Sequence, residues 1–277
     1  MTINRIPLAG VIGSPIAHSK SPRLHRHWLR RYGIPGHYIP MEISSDDLAE
    51  ALTVLPKIGF VGANVTIPHK EYVLSLADVV SDRAAVIGAA NTIVFRDDGK
   101  IYADNTDGYG FIENLKQQAP DWDPNSGPAA VIGAGGASRA IISALLDAGV
   151  SEIRISNRTK SRADSLRAEF GTRLDVCDWV RAGNMFEGAT TIVNTSSLGM
   201  MGKPDLRVPL DAISSEAVVA DLVYTPLETS LLAHAKNNGC RTVDGLGMLL
   251  HQAVPGFERW FGKKPDVDEA LRDAVLV

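Results

Sequence analysis

The chain has 277 residues, of which 45% are hydrophobic and 22% are charged, and its formal net charge at pH 7 is -4. This composition is typical of a soluble globular protein with two domains, and the acidic balance argues against a general nucleic-acid binder without excluding a local basic patch. The two cysteines are widely separated and no apolar run is long enough to span a membrane, so we expect no disulfide framework, no zinc motif and a cytoplasmic location.

The first 65 residues have the pattern of a βαβαβ unit. A continuous apolar run predicts a strand at residues 6–12, further strands are predicted at 38–43 and 59–65, and helices are predicted to begin at residues 22 and 46. Ser19 and Ser21 lie just before the first helix, where their hydroxyls and free backbone N–H groups could hold a carboxylate. The alternative is that Ser21 is a plain N-cap.

The third predicted strand runs into the polar segment 64–70, NVTIPHK. Open α/β sheets bind ligands at the carboxyl ends of parallel strands, so Lys70 is predicted to be an acid–base catalyst that exchanges a proton with a substrate hydroxyl. Asp107 is the natural carboxylate partner for this amine, and Asn91 is the natural amide for a polyhydroxylated ligand, provided that the fold brings them together. A solvated surface lysine and an N-cap aspartate are the alternatives.

A hairpin and a linker separate this region from the next domain. Residues 91–95 and 100–103 predict two strands joined by a turn at 97–99, and a helix is predicted over 109–117. Residues 119–128, APDWDPNSGP, are rich in helix and strand breakers and predict a linker.

A glycine-rich turn follows the linker and has the pattern of a nucleotide-binding corner. Residues 130–132 predict a short buried strand, and Gly133, Gly135 and Gly136 come directly after it, before a helix. Residues without a Cβ allow a tight turn and a close approach by a pyrophosphate, which the helix N-terminus attracts. Ser138 stands where the G-x-G-x-x-G pattern has its third glycine, so the match is weaker.

The next predicted strand, 152–156, ends in a basic turn. An NAD site would place Asp or Glu after this strand for the ribose 2′-hydroxyl, but no carboxylate stands there. Arg158 and Arg162 are four residues apart and are interpreted as lying on one helical face, where they suit a 2′-phosphate. NADP is therefore favoured over NAD, and a solvated basic helix start is the alternative.

The remaining segments predict two strands, a helix, a further glycine turn and two closing helices, at 190–193, 217–223, 229–237, 242–248, 249–260 and 267–275. The closing helices are expected to pack back on the first domain. Residues 194–200 follow a strand, and their hydroxyls could line a cofactor or form an ordinary polar loop. A serine hydrolase is disfavoured because the chain has no G-x-S-x-G sequence.

Together these segments resemble the shikimate dehydrogenase family over essentially the whole chain. Eight motifs carry the resemblance, in order GSPIAHSKSPRLH, NVTIPHK, GAANTI, NTDG, GAGGASRA, NRTKSRA, DLVYTPLETSLL and DGLGMLLHQA. The resemblance implies an NADP-linked oxidoreductase that interconverts 3-dehydroshikimate and shikimate in the chorismate pathway to aromatic amino acids. It also implies that Lys70 and Asp107 are the catalytic residues.

Further site residues are implied by position in these motifs. The implied substrate contacts are Ser19, Ser21, Thr66, Lys70, Asn91, Asp107, Tyr224 and Gln252. The implied cofactor contacts are Asp82, Gly133, Ala134, Gly135, Gly136, Ala137, Asn157, Arg158, Thr159, Arg162, Leu222 and Gly245, and no metal is implied. Two positions depart from the usual pattern: Arg26 follows His25 where the family usually has asparagine, and Ser138 replaces a glycine of the generic fingerprint.

We therefore predict an α/β fold with two domains and an active site in the cleft. Residues 1–106 and 247–277 would form a discontinuous substrate domain, and residues 107–246 a Rossmann-type NADP-binding domain. The expected partner is the small-molecule substrate, with no nucleic acid or membrane, and a homodimer is left open. Two alternatives stay open: a quinate/shikimate dehydrogenase with relaxed substrate or NAD use, and a non-catalytic NADP-binding sensor, which would have no need of a proton relay.

Overall fold

In the computed structural model, which describes residues 6–276, the chain divides into two compact units. One unit ends at Thr106 and resumes at Gln252, and the other comprises Asp107–His251. Each unit contains one six-stranded sheet. None of the helices within residues 6–276 combines the length and the apolar character that crossing a membrane requires.

The first unit is built on a mixed sheet. Its strands are β1 (Leu8–Gly13), β2 (His37–Glu42), β3 (Phe60–Val65), β4 (Val79–Val80), β5 (Thr92–Phe95) and β6 (Ile101–Asp104). Its helices before Thr106 are α1 (Ser21–Arg31), α2 (Leu48–Val54), α3 (Tyr72–Leu76) and α4 (Asp82–Ile87). The strand order is β2-β1-β3-β5-β6-β4, with β1 parallel to β2 and β3, and β5 antiparallel to β3 and β6. The predicted βαβαβ unit and hairpin are confirmed.

Burial explains which elements of this unit the sequence could predict. Ile12 and Val65 of the parallel strands are at most 1% exposed and pack with Leu48 and Leu52 of α2, so the apolar residues of both strands mark them as buried. Helix α3 has five residues and strand β4 has two. Neither was predicted, because elements this short carry no clear hydrophobic period.

Helix α1 begins earlier than predicted. Its N-cap is Lys20, whose side chain makes no capping hydrogen bond, and Ser21 is the first helical residue. The interpretation of Ser21 as an N-cap is therefore wrong, although Pro22 lies in the first turn as expected. Ser19 Oγ accepts a hydrogen bond from the Ser21 N–H at 3.3 Å, which satisfies one of the free donors at the helix start.

The second unit has a wholly parallel sheet. Its strands are β7 (Ala129–Ile132), β8 (Ile153–Ser156), β9 (Leu174–Cys177), β10 (Thr191–Asn194), β11 (Val218–Asp221) and β12 (Arg241–Val243). The helices from Asp107 onward are α5 (Asp107–Gln118), α6 (Gly136–Ala148), α7 (Lys160–Phe170), α8 (Ser230–Asn237), α9 (Gly245–Phe261) and α10 (Glu269–Leu276). The order β12-β11-β10-β7-β8-β9 is the 3-2-1-4-5-6 order of dinucleotide-binding folds when counted from β7. The predicted Rossmann-type fold is confirmed.

Two stretches of the second unit differ from their predicted structure. The glycine turn expected at 242–248 is a strand-to-helix junction, because β12 ends at Val243 and α9 begins at Gly245. Strand β9 and a 3-10 helix at Trp179–Phe186 occupy a stretch for which no element was predicted. Strand β9 lies at the sheet edge and is only partly buried, so its apolar pattern is weak.

The closing helices return to the first sheet, as the predicted fold class required. Within the first unit, Trp260 Nε1 of α9 donates a hydrogen bond to the Ile93 carbonyl at 3.0 Å. A Cβ on Gly62 of β3 would collide with that indole, so glycine is needed for this close approach. Trp28 Nε1 of α1 donates to the Asp266 carbonyl, just before α10, at 2.9 Å.

Candidate active site

The expected substrate residues of the first unit gather at one edge of its sheet. Because β5 is antiparallel to β3 and to β6, the beginning of β5 lies at the same edge as the ends of β3 and β6. Thr66 and Lys70 follow β3, Asn91 precedes β5 and Thr106 follows β6. The topology therefore brings together side chains from three separate segments of the chain.

Asn91, Thr106 and Gln252 form the buried part of this cluster. They are at most 8% exposed, and Asn91 Nδ2 donates to Gln252 Oε1 at 3.2 Å. The Thr106 hydroxyl lies 2.8 Å from the Gln252 carbonyl and 3.0 Å from Asn91 Oδ1, which also accepts from the Thr106 N–H at 2.9 Å. Thr106 was not among the expected contacts, yet its hydrogen bonds fix the orientation of the Asn91 amide.

Lys70 and Thr66 lie on the turn that leaves β3, and both are half-buried. The Lys70 carbonyl accepts a hydrogen bond from the Ala90 N–H at 2.8 Å, which holds the backbone of Lys70 beside the residue that precedes Asn91. The Thr66 N–H donates to the Ile12 carbonyl of β1 at 2.9 Å. Main-chain hydrogen bonds thus fix both positions to the sheet.

Helix α1, which begins at Ser21, contributes His25 to a buried aromatic cluster. His25, one turn after the buried Ser21, is fully buried and stacks on the Tyr38 ring at 3.8 Å. Burial lowers the pKa of His25 to about 3, so the ring is neutral at physiological pH. It is a packing histidine, and no group of three or more His, Cys, Asp or Glu within residues 6–276 is arranged to hold a metal ion.

A buried polar network that was not predicted from the sequence contacts Asn91 on the side of the sheet. The Tyr38 hydroxyl donates to Asn64 Oδ1 at 2.7 Å. Asn64 Nδ2 donates to the Asn91 carbonyl at 3.1 Å and to Thr92 Oγ1 at 3.2 Å, and the Thr92 hydroxyl donates to Asn91 Oδ1 at 2.9 Å. The only signal was the position of Asn64 within the NVTIPHK segment, because its partners lie far away in the sequence.

Asp104, at the end of β6, anchors the same edge. It is fully buried, and Arg83 contacts both of its oxygens at 2.6 and 2.5 Å, while Arg259 of α9 contacts Oδ2 at 2.7 Å. Ser81 and the Asn105 N–H also donate to Oδ1. Burial alone would raise the pKa of Asp104, but the hydrogen bonds from Arg83, Ser81 and Arg259 outweigh it and lower the pKa to about 2.

Three other expected residues have clear positions. Asp107 is the first residue of α5, in the second unit, and is 8% exposed. Asp82, expected on the cofactor side, is an exposed residue of α4 in the first unit. Tyr224, expected beside the serines, belongs to the second unit and follows β11.

The glycine corner joins β7 to α6. Gly133 has a φ of +106°, and a Cβ there would lie 2.8 Å from Thr195 Oγ1, so both conformation and space require glycine. Ser138 is fully buried; its Oγ accepts from the Gly135 N–H at 3.0 Å and lies 2.6 Å from Thr195 Oγ1. The serine at the third fingerprint position thus ties α6 to the end of β10.

The two other glycines leave open space. A Cβ on Gly135 or Gly136 would meet no atom within 4 Å, and both residues are exposed. Gly136 and Ala137 begin α6, and the first N–H groups of a helix lack intrahelical partners. Open space over such donors fits the pyrophosphate of a dinucleotide.

The basic turn differs in one respect from its sequence interpretation. Arg158 precedes α7 and Arg162 lies in its first turn, so the prediction that the two arginines share one helical face is wrong. Both are exposed. Asn157 Oδ1 accepts from the Ala134 N–H at 3.2 Å and its Nδ2 donates to the Thr159 carbonyl at 2.8 Å, which holds the basic turn beside the glycine corner.

Leu222, Tyr224 and Gly245 lie past the carboxyl end of β11. The half-buried Leu222 donates its N–H to the Asn194 carbonyl at 2.9 Å. A Cβ on Gly245 would collide with the carbonyls of Leu222 and Val223, so glycine lets α9 begin against this loop. Burial raises the pKa of the Tyr224 phenol, which therefore remains a hydrogen-bond donor at neutral pH.

Three family models match the chain. Residues 11–93 match the shikimate dehydrogenase substrate binding domain, residues 115–197 match shikimate / quinate 5-dehydrogenase, and residues 245–276 match the shikimate 5'-dehydrogenase C-terminal domain. Among curated proteins, the shikimate dehydrogenase (NADP(+)) of Cereibacter sphaeroides strain ATCC 17025 is 69% identical over 272 residues, which is 98% of either chain.

Solved structures with similar folds extend the comparison. A quinate dehydrogenase from Corynebacterium glutamicum in complex with NAD has a TM-score of 0.90 and 31% identity, covering 98% of this chain and 99% of that chain. A shikimate 5-dehydrogenase from Thermus thermophilus in complex with NADP(H) and shikimate has a TM-score of 0.86 and 35% identity, with the same coverage.

Proposed function

The chain belongs to the shikimate dehydrogenase family, and from this premise we propose that it catalyses the reversible, NADP-dependent reduction of 3-dehydroshikimate to shikimate in chorismate and aromatic amino acid biosynthesis. The observation that carries the proposal is the gathering of Lys70, Asn91 and Gln252 at one edge of the first sheet. Neutral amides next to an amine suit a ligand with several hydroxyls and one carbonyl, because an amide both donates and accepts hydrogen bonds.

We propose the following substrate contacts. Ser19 and Ser21, at the start of α1, hold the substrate carboxylate with their hydroxyls, and Tyr224 assists them. Ring hydroxyls are bound by Thr66, Asn91, Asp107 and Gln252. The network beneath Asn91 fixes the orientation of its amide, so the site is set before the substrate arrives.

Lys70 is proposed to move the proton of the reaction. Reduction of a ketone adds a hydride to the carbonyl carbon and a proton to its oxygen, and bound NADPH supplies the hydride. The Lys70 ammonium donates the proton to the developing alkoxide, and in the reverse direction the Lys70 amine removes it from the hydroxyl. Asp107 is proposed to be the carboxylate partner of Lys70.

The cofactor contacts are proposed on the second unit. Residues 133–137 bind the pyrophosphate, and Asn157, Arg158, Thr159 and Arg162 surround the 2′-phosphate. Leu222 and Gly245 contact the other half of the dinucleotide. Asp82 of the first unit is proposed as a further cofactor contact. The exposed arginines after β8, together with the lack of a carboxylate in residues 157–162, support NADP rather than NAD.

Replacing Arg158 and Arg162 together by alanine is expected to remove the preference for NADP. Each arginine can make charge-assisted hydrogen bonds to the 2′-phosphate, so KM for NADP should rise on the order of 100-fold while KM for NAD changes little. Initial rates with both cofactors measure this. Arg167→Ala is the matched control, because Arg167 is exposed in the last turn of the same helix. An equal rise in KM for NADP and for NAD would show that the arginines do not bind the 2′-phosphate.

Quinate oxidation is a second candidate activity, favoured by the similarity to the Corynebacterium quinate dehydrogenase. Quinate shares the three ring hydroxyls of shikimate but has a saturated ring and a further hydroxyl on the carbon that bears the carboxylate, so it would test the contacts of Ser19, Ser21 and Tyr224. We expect kcat/KM for quinate to be far below that for shikimate, measured with the same cofactor. Comparable values would favour the broader quinate/shikimate activity instead.

A further inference from the structure

Asp221 is a buried carboxylate that the proposed chemistry does not use. It ends β11, is 2% exposed, and accepts three hydrogen bonds. Asn194 Nδ2 and the Val223 N–H donate to its Oδ1 at 2.9 and 3.0 Å, and the Thr229 hydroxyl donates to its Oδ2 at 2.7 Å. These groups come from β10, from the loop after β11 and from the N-cap of α8, and none of the three carries a charge.

Keeping the Asp221 carboxylate ionised lowers the stability of the fold. Burial raises the pKa of Asp221 to about 6, although the hydrogen bonds from Val223, Thr229 and Asn194 act in the opposite direction. At neutral pH the group is therefore largely ionised in an environment that disfavours its charge. Within the described part of the chain, no lysine, arginine or histidine forms an ion pair with it.

Hydrogen bonding alone does not require the charge. An asparagine at position 221 could keep its Oδ1 on Asn194 and Val223 and donate from Nδ2 to the Thr229 hydroxyl, which can accept as well as donate. The same two loops would then remain joined. A neutral asparagine would make the same contacts without a buried charge, so the fold alone does not account for the aspartate at position 221.

Asp221 lies at the carboxyl end of the sheet, on the side expected to hold the nicotinamide. In a 3-2-1-4-5-6 sheet the dinucleotide crosses the carboxyl ends of the strands at the point where their order reverses, here between β7 and β10. The arginines proposed for the 2′-phosphate follow β8, on one side of that point. The nicotinamide half then falls on the other side, above β10 and β11, where Leu222 follows Asp221.

We propose that the negative charge of Asp221 favours the oxidised cofactor, because the oxidised nicotinamide ring is positively charged and the reduced ring is neutral. This inference rests on the proposed NADP site. Asp221 acts on the cofactor through its electric field and not as a ligand. Its effect is a difference between the affinities for NADP+ and NADPH.

The test is Asp221→Asn, with dissociation constants of NADP+ and NADPH measured by calorimetry on the full chain near neutral pH. We expect the ratio of Kd for NADP+ to Kd for NADPH to rise on the order of tenfold. The apo variant should melt at a higher temperature than the wild type, because a buried charge has been removed. Asp175→Asn is the matched control: Asp175 is exposed on β9 of the same sheet, and its removal should leave the ratio unchanged.

The pH dependence of the same Kd ratio in the wild type provides a second test, which does not require the variant to fold. For the wild type, the same ratio should rise as the pH falls through about 6, because Asp221 becomes protonated, and titration of the 2′-phosphate cancels since both cofactor forms carry it. A ratio that is independent of pH, or unchanged in Asp221→Asn while both cofactors still bind, overturns the inference and leaves the proposed function intact. Failure of the wild type to bind either form would instead contradict the proposed function.

Discussion

Replacing Lys70 by alanine is expected to lower kcat by about 10³-fold, within the range that a positioned general acid or base contributes. KM for shikimate should change much less, because Asn91, Gln252 and the serine hydroxyls remain to bind the ring and the carboxylate. The structural reason is the position of Lys70 on the turn after β3, where its carbonyl is tied to the Ala90 N–H. Steady-state rates of shikimate oxidation measure both constants.

The control for this prediction is Lys100→Ala, which removes an exposed lysine from the β5–β6 hairpin of the same unit. It should retain wild-type kcat and KM. The Lys70 variant should also bind NADP with unchanged affinity, since the proposed cofactor contacts at the glycine corner are untouched. A Lys70 variant with near-normal kcat, or one whose loss lay entirely in KM, would remove Lys70 from the proton-transfer role.

Asp104→Asn is expected to lower the free energy of unfolding by about 3 kcal/mol, because it removes the buried charge that two arginines contact. Arg83 belongs to α4 and Arg259 to α9, so the loss should loosen the attachment of both helices to the end of β6. Urea denaturation measures the change. Substrate binding should weaken as well, because Thr106 follows β6 and its hydroxyl donates to the Gln252 carbonyl of α9.

An exposed ion pair of the same sheet provides the comparison. Asp98→Asn breaks a pair with Arg96 whose side chains are 44% and 49% exposed, so it should cost less than about 1 kcal/mol. If both variants lost equal stability, the buried ion pairs of Asp104 would stabilise the fold no more than the exposed pair does.

The pH dependence of stability follows from the same carboxylate. The folded pKa of Asp104, about 2, lies below its ordinary 3.8, so its contribution of about 2 kcal/mol is present above pH 4 and is lost as the pH falls toward 2. The wild type should therefore lose stability in that window. Asp104→Asn should show a correspondingly flatter acid limb in urea denaturation at a series of pH values, and an unchanged limb would contradict the assignment.

Local patterns were sufficient to predict much of the second unit. The strand before the glycine corner has four consecutive buried residues, and the glycines after it mark where the chain turns. Gly133 requires its residue type through backbone conformation and space, which is a strictly local demand. The order of strands then follows the known rule for repeated βα units, so the fold class could be predicted from short segments.

The support of the candidate site could not be predicted in this way. Asn91 contacts Gln252 across 161 positions of sequence, and Arg259 contacts Asp104 across 155. No periodicity or spacing reports such pairs, since only the tertiary fold decides them. The error at Arg158 has a related cause: the helix begins after it, and element boundaries depend on cap geometry that spacing alone does not define.

The rate of cofactor reduction by the purified protein, with shikimate as substrate and either NADP+ or NAD+ as oxidant, decides whether the protein is an NADP-dependent shikimate dehydrogenase. We predict rapid formation of NADPH, with kcat/KM for NADP+ well above that for NAD+. Absence of turnover with shikimate and either cofactor would contradict the proposed activity.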